Sequence, residues 1–199
     1  MQKRLIKDTK AEIAKKVYAF GESENIKIYM DEEEKCFNQK EVKIEVFKRQ
    51  FQHWFFDAAE ILKENEDNDF VLMMICAAYI EAIQQYKTNT SSDRGNSKNT
   101  FTNSIKIIFN INSEEVLNAI YRALRCGLFH NSMIKENIRL TRLADEIFSE
   151  SHGLITINCI KFYEQIKNDF NEYIIDLNNA YEYDSIYINF KTKFNFIIK

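Results

Sequence analysis

Residues 70–86, Phe70-Val71-Leu72-Met73-Met74-Ile75-Cys76-Ala77-Ala78-Tyr79-Ile80-Glu81-Ala82-Ile83-Gln84-Gln85-Tyr86, decide the fold. The stretch is apolar on almost every side of a helix, so it belongs at the centre of a core or between the core and a partner subunit. It is too short, and too polar at its carboxyl end, to span a bilayer. We therefore expect a central helix in a mainly helical protein, with no membrane association.

Helical spacing of apolar residues recurs on both sides of this stretch. An amphipathic pattern at 43–64 carries Phe47, Phe51 and Trp54 on one face, and the same periodicity returns at 158–180. Further helices are predicted at 1–22, 100–110 and 113–127. The chain has no proline and only four glycines, so few residues would interrupt long helices.

Turns and short strands fill the remaining segments. Residues 65–68 form an acidic turn and Asp69 is placed to cap the central helix, while Ser113 is placed to start the helix at 113–127. Small polar residues at 88–99 predict a loop, and 31–35 reads as a solvated charge run. Alternating apolar and polar residues predict short strands at 26–30, 137–141, 154–157 and in the tail 185–199, with a turn at His152-Gly153.

Length and composition bound the class of protein. The 199 residues fit one domain over 1–199, with a core at about 43–181 and extensions at 1–42 and 182–199. A net charge of −3 argues against nucleic-acid binding through bulk charge alone, although a ribonuclease needs only a local basic pocket. Four cysteines without a CxxC pair, and a polar amino terminus without a signal peptide, predict reduced thiols and a cytoplasmic protein.

The segment Arg125-Cys126-Gly127-Leu128-Phe129-His130-Asn131 holds the residues best suited to chemistry. Imidazole gives or takes a proton near neutral pH, and a guanidinium holds two phosphate oxygens at once. Residues five apart on an unbroken α-helix point about 140° away from each other. Gly127 would have to end or loosen the helix for the two side chains to meet. The alternative for His130 is a structural or capping histidine.

This segment, at the end of a helix, resembles the signature of the HEPN superfamily, an arginine followed after four to six residues by a histidine. The form arginine, cysteine, glycine, two apolar residues and histidine is similar to one bacterial branch. Other features in the same order are Ala78 to Ala82, the polar loop at 91–97, and Ile157-Asn158 before the last long helix. The resemblance covers about residues 45–180.

The resemblance implies a HEPN-like helical bundle with a few short peripheral strands that forms a homodimer. It implies a metal-independent endoribonuclease, often the toxin or defence effector of a pair with an antitoxin. His130 would be the general base on a ribose 2′-OH or the acid on the leaving oxygen. Arg125 would stabilise the charge that gathers on the phosphate. The products would carry a 2′,3′-cyclic phosphate and a 5′-OH.

Six further residues are candidates for supporting roles. Asn131 would hold a phosphate or cap the helix, and Cys126 stands where active members often carry a polar residue. Glu81 needs a partner inside its apolar helix, either Arg125 or Arg122. Loop residues that would meet RNA phosphates, or remain solvated, are Arg94 and Lys98.

Two other functional classes compete with the nuclease. A non-catalytic HEPN-like module for nucleotide, RNA or protein binding would fit the acidic charge and Cys126. A metal enzyme is disfavoured because only three histidines exist, widely spaced, and no carboxylate–histidine pair has ligand spacing. We therefore expect neither metal nor cofactor. His53 reads as a core or edge histidine.

Overall fold

The computed structural model describes residues 11–20, 26–91, 95–131, 133–134 and 137–198. Within these ranges, no helix is long and apolar enough to cross a membrane. The chain divides into two compact units, the first comprising 1–58 and 174–199 and the second comprising 59–173. The assignment of 1–199 to a single domain stays a prediction.

The first unit contains a four-stranded antiparallel meander. Its strands are β1 (Ala11–Ala14), β2 (Val17–Phe20), β3 (Lys27–Met30) and β4 (Glu33–Cys36), in the order β1-β2-β3-β4. In its two described turns, Lys16, Asp31 and Glu32 adopt positive φ angles of 60°, 55° and 65°. Residues other than glycine rarely adopt this backbone conformation, so Lys16 and Glu32 give no sign of a turn in the sequence.

Helices complete the first unit. α1 (Lys40–Phe51) runs without a break through a π-helical segment (Gln52–Phe56) into α2 (Asp57–Lys63), whose residues from Ala59 onward belong to the second unit, and α8 spans Ser185–Ile198. Phe47 packs against two rings of α8, at centroid distances of 5.2 Å to Phe190 and 6.0 Å to Phe194. All three rings are fully buried, so aromatic packing ties α8 to α1.

The second unit is built around α3 (Asp69–Thr88), which follows a 3-10 turn (Glu66–Asn68). Its further helices are α4 (Ser97–Phe109), α5 (Glu114–Ile120), a second π-helical segment (Tyr121–Leu128), α6 (Phe129–Asn131) and the first part of α7 (Cys159–Asn179). α3 packs against α4 and against the second π-helical segment. The largest fully buried rings here are Tyr79, Phe101, Phe162, Tyr163, Phe170 and Tyr173.

A three-stranded mixed sheet closes the second unit. Its strands are β5 (Ile138–Thr141), β6 (Phe148–Ser151) and β7 (Leu154–Asn158), in the order β5-β7-β6, with β5 parallel and β6 antiparallel to β7. The β6–β7 turn has positive φ at His152 and Gly153, as predicted from the sequence. The strands predicted at 137–141 and 154–157 are confirmed.

The predicted fold class is wrong. The chain is an α/β protein with two sheets, one antiparallel and one mixed, and not a mainly helical bundle with a few short peripheral strands. The largest error lies in the first 42 residues, where a helix was expected over 1–22. The described part of that range, 11–20, forms a β-hairpin whose turn at Lys15 and Lys16 has no glycine or asparagine to reveal it.

Two local predictions are also corrected. The tail at 185–198 is the helix α8 and not a strand. Asp69 lies inside α3 instead of capping it, and its carboxylate accepts a hydrogen bond from Nη2 of Arg142 at 2.7 Å. The charge run at 31–35 is largely exposed, as predicted, and its last three residues belong to β4. Of the two alternatives for Gly127, the helix does not end there but continues to Asn131, and it is loosened into a π-helical segment that contains Gly127.

Several helix predictions are confirmed. The helix expected at 43–64 is present over Lys40–Lys63, including its π-helical segment, and the central helix expected at 70–86 is α3. Ser113 caps α5, since its hydroxyl accepts a hydrogen bond from the backbone N–H of Val116. Local capping chemistry and the period of apolar residues therefore predicted these elements correctly.

Candidate functional site

Arg125 lies in the π-helical segment Tyr121–Leu128 of the second unit, and its charge is paired with Glu81 of α3. The Nε of Arg125 donates to Oε2 of Glu81 at 2.5 Å. The Glu81 side chain is 12% exposed and that of Arg125 26%. Glu81 is thus an acid inside an apolar helix, and the structure assigns Arg125 as its ion-pair partner. A pair this sheltered from water fixes the orientation of the guanidinium.

A second contact holds the guanidinium from another direction. Its central carbon lies 4.9 Å from the centre of the Phe129 ring, a cation–π geometry between residues four apart. The terminal NH groups of Arg125 make no hydrogen bond to any other residue that the structure describes. Arg125 is therefore positioned by Glu81 and Phe129 and still has donors to offer to a phosphate.

His130 lies in the short α6, one residue after Phe129, and its side chain is exposed. No hydrogen bond or ion pair between described residues joins His130 to Arg125. The helix around them is widened, however, over Tyr121–Leu128. In a π-helix the hydrogen bonds join residues i and i+5, so residues five positions apart lie about one turn from each other. The widening therefore reduces the angle between their side chains below the value of about 140° that an α-helix imposes.

This widening, and not a break at Gly127, is how the local backbone departs from a regular helix. Gly127 is buried within the segment, and the chain stays helical on both sides of it. Such π-helical insertions in α-helices are often found at functional sites. In the sequence only Gly127, expected to end or loosen the helix, pointed to this change, because the apolar period of Tyr121–Leu128 is that of an ordinary helix.

Cys126 is partly exposed and has Tyr121 as a neighbour in the same segment. Burial raises the pKa of Tyr121, and a hydrogen bond with the Cys126 thiol raises it further, while the nearby charge of Arg125 opposes both. Tyr121 also packs edge-on against Phe101 of α4, at a centroid distance of 5.7 Å. Sequence reasoning missed both Tyr121 and Phe129, which contact the predicted site residues.

The other predicted residues are more scattered. Arg122 is exposed in the same π-helical segment, and Lys98 is exposed in the first turn of α4 instead of in a loop. Arg94 lies outside the described residues, and so does the side chain of Asn131, whose backbone ends α6. The structure thus brings Glu81 and Arg125 together and places Cys126 and His130 on the same stretch of chain.

Asn158, at the start of α7, locks the loop that follows β5. Its amide donates to the backbone oxygens of Arg142 and Ala144, and its side-chain oxygen accepts from the backbone N–H groups of Ile160 and Lys161. The residue is 2% exposed. The sequence marked Asn158 only through the family resemblance, and the structure gives it a positioning role.

Among the described residues, no group of three or more histidine, cysteine, aspartate or glutamate side chains is arranged to hold a metal ion. The four cysteines all lie in described ranges, and none forms a disulfide. The arrangement at Arg125 and His130 offers a fixed cation and an exposed imidazole, which are groups for acid–base chemistry on an anion.

Comparisons of the chain with family models, with curated proteins and with solved structures found no match.

Proposed function

We propose that this protein is a metal-independent endoribonuclease of the HEPN type, acting through Arg125 and His130. The observation that carries the proposal is the 2.5 Å contact between Glu81 and Arg125. An arginine whose charge is merely structural needs no free donors, whereas Glu81 engages Nε and leaves the terminal NH groups available. A guanidinium oriented in this way suits a phosphodiester.

The proposed reaction uses the two side chains in sequence. A ribose 2′-oxygen attacks the adjacent phosphorus while its proton passes to the His130 imidazole. The bond from phosphorus to the 5′-oxygen breaks, that oxygen takes up a proton from water as it leaves, and the proton held by His130 then passes to solvent. Arg125 stabilises the negative charge on the phosphoryl oxygens. The products are a 2′,3′-cyclic phosphate and a 5′-OH, with no oxidant or metal required for balance.

The proposal includes a homodimer and a cytoplasmic setting. Next to the site, Phe129 is 41% exposed and Met133 66% exposed, which supports self-association on this face. Four cysteines without a disulfide support a reducing compartment. A toxin or defence role, with an antitoxin as partner, is part of the same proposal. Sedimentation velocity tests the dimer: the wild type should sediment as a dimer, and Met133→Ser should shift it toward monomer.

A cleavage assay tests the proposed reaction. Wild type, His130→Ala and His152→Asn are each incubated with a set of labelled RNAs, with and without a chelator. His152→Asn is the matched control, because His152 is an exposed histidine of the same unit at positive φ, which asparagine tolerates. We expect chelator-resistant cleavage by wild type and control, and a loss of at least 100-fold in His130→Ala. Equal background cleavage by all three would refute the proposal.

A non-catalytic binding module is the second candidate. It is favoured by one observation, namely that no hydrogen bond or ion pair between described residues joins His130 to Arg125. In that case RNA or nucleotides would bind without being cleaved, and binding would survive both Arg125→Ala and His130→Ala. Filter binding of the same RNAs by these two variants separates the candidates.

A further inference from the structure

A second histidine, His53 in the first unit, is held in a defined orientation by an acid. Its Nδ1 lies 2.7 Å from Oδ2 of Asp57, and Nε2 of Gln52 donates to the other carboxylate oxygen at 2.8 Å. The hydrogen bond to His53 is the main cause of the lowered pKa of Asp57. Among described residues, the Nε2 of His53 has no hydrogen-bond partner, and the side chain is 27% exposed. The ring therefore offers one nitrogen outward.

This histidine lies on the other π-helical segment, Gln52–Phe56, beside the only tryptophan of the chain. Trp54 is 54% exposed, although an indole is the largest apolar side chain. Its neighbour Phe55 is instead stacked on Phe51, at a centroid distance of 5.2 Å. An exposed Trp54 thus follows the fixed imidazole directly in the sequence. Exposed aromatic rings of this kind stack on nucleic-acid bases.

Positively charged side chains lie near Asp57, the hydrogen-bond partner of His53. Lys15 and Lys16 form the exposed β1–β2 turn, and the charge of Lys15 contributes to the lowered pKa of Asp57. A hydrogen bond from Nε2 of Gln50 to the backbone oxygen of Ile13, at 2.7 Å, fixes β1 against α1. The turn is therefore anchored to the helix that carries His53, and its lysines are available to an anion.

We propose that Trp54, His53 and Lys15 form a binding site for one nucleotide of single-stranded RNA. The base stacks on Trp54. The protonated imidazole donates from Nδ1 to Asp57 and from Nε2 to a phosphate oxygen, and Lys15 adds its charge to the same phosphate. The choice of RNA as the ligand rests on the proposed nuclease function, whereas the cluster itself belongs to the first unit alone.

The fluorescence of Trp54 gives a direct test, because the chain has no other tryptophan. The His130→Ala protein, whose RNA should stay intact, is titrated with an eight-residue oligouridylate and, separately, with inorganic polyphosphate. We expect saturable quenching by the oligonucleotide and not by polyphosphate. In the same background, His53→Ala and Lys15→Glu should each weaken binding about fivefold or more. Lys106→Glu, an exposed lysine on α4, is the charge-matched control and should bind as the parent does.

Three outcomes would overturn the inference: no quenching, equal quenching by polyphosphate, or unchanged affinity in both His53→Ala and Lys15→Glu. Lys15 is an exposed turn residue, so that variant should fold even if His53→Ala does not. Quenching without any RNA cleavage by the wild type would refute the nuclease and leave this site standing. Cleavage by the wild type without quenching would support the nuclease and refute this binding site.

Discussion

Nε of Arg125 lies 2.5 Å from Oε2 of Glu81, and this contact joins the π-helical segment Tyr121–Leu128 to the middle of α3. Both side chains are mostly withdrawn from water. Removal of one charge therefore leaves the other poorly solvated, and it also frees the guanidinium to reorient. The pair thus links the stability of the second unit to the geometry of its proposed site.

Glu81→Gln should lower both stability and activity. A fully buried pair that loses one partner costs roughly 3–5 kcal/mol, and partial exposure here reduces our expectation to about 2 kcal/mol. RNA cleavage should fall by at least tenfold, because Arg125 loses its orienting partner. Urea denaturation and the cleavage assay measure the two effects. Glu150→Gln, at an exposed position on β6, is the control and should match the wild type. If Glu81→Gln also matches the wild type, the ion pair has no role in positioning Arg125.

Asn158 is expected to be one of the most sensitive positions outside the site. Its side chain makes four hydrogen bonds at 2% exposure, so Asn158→Ala should cost about 2–4 kcal/mol. Asn158→Asp keeps the helix cap but sets a carboxylate against two carbonyl oxygens. It should therefore be destabilised at pH 7 and recover partly at acid pH, where the protonated acid can donate.

Denaturant titrations at pH 7 and pH 4.5 test this prediction. Asn168→Ala, at an exposed position on the same helix, serves as the control and should change stability by less than about 0.5 kcal/mol. A similarly small change in Asn158→Ala would show that the loop after β5 does not depend on this side chain.

Glu60 should make a pH-dependent contribution to stability in the second unit. Burial opposes ionisation of its carboxyl, but hydrogen bonds from Lys167, Lys63 and Tyr163 outweigh it and lower the pKa from 4.5 to about 2. The stabilisation is therefore complete above pH 4.5 and is lost as the pH falls toward 2. Glu60→Gln should cost about 1 kcal/mol at pH 7, since a third of the side chain is exposed to screening solvent.

Urea denaturation of the wild type and Glu60→Gln between pH 3 and pH 7 follows this difference. We expect the gap in unfolding free energy to narrow steadily below pH 4.5. A gap that is constant with pH would mean that the carboxylate is not stabilised by its three neighbours.

Lys43 should make a second pH-dependent contribution, in the first unit, and there the charged form is the disfavoured one. It is 1% exposed, and its ammonium lies 2.6 Å from Oδ1 of Asn195 and 4.3 Å from the Phe37 ring centre. Burial, aided by the charge of Lys191, lowers the pKa of Lys43 from 10.5 to about 8. Between pH 8 and pH 10.5 the unfolded chain binds more protons than the folded chain does. The wild type therefore becomes more stable as the pH rises through this range.

Lys43→Met removes that dependence. The stability of the wild type relative to Lys43→Met should rise by about 1 kcal/mol between pH 8 and pH 9.5, as followed by guanidinium denaturation. Parallel pH profiles for the two proteins would contradict the lowered pKa.

Sequence reasoning located helices better than strands, for a physical reason. In α3 and in Lys40–Lys63, apolar residues recur at helical spacing and the same residues pack in the core. The sequence pattern therefore predicted both helices. The described hairpin turns of the first unit have positive φ at Lys16, Asp31 and Glu32, and of these only Asp31 is a residue type common in turns. The scarcity of glycine, taken as a sign of long helices, instead concealed the sheet.

The tail shows how two periods can coexist in one segment. Aromatic and polar residues alternate from Tyr187 onward, which predicted a strand, yet the buried rings are Tyr187, Phe190 and Phe194 at helical spacing. Packing against α1 selects the helical set. The sequence indicated that Glu81 needs a partner, because an acid in an apolar helix is costly when unpaired, but it left Arg125 and Arg122 as alternatives. It also allowed the helix to end or to loosen at Gly127 and did not decide between the two.

Mass spectrometry of the RNA ends made in excess EDTA identifies the products of the proposed reaction. We expect 2′,3′-cyclic phosphate and 5′-OH termini with the wild type and with His152→Asn, and no products above background with His130→Ala. Identical background ends from all three proteins, or cleavage by His130→Ala equal to that of the wild type, would contradict the proposed nuclease.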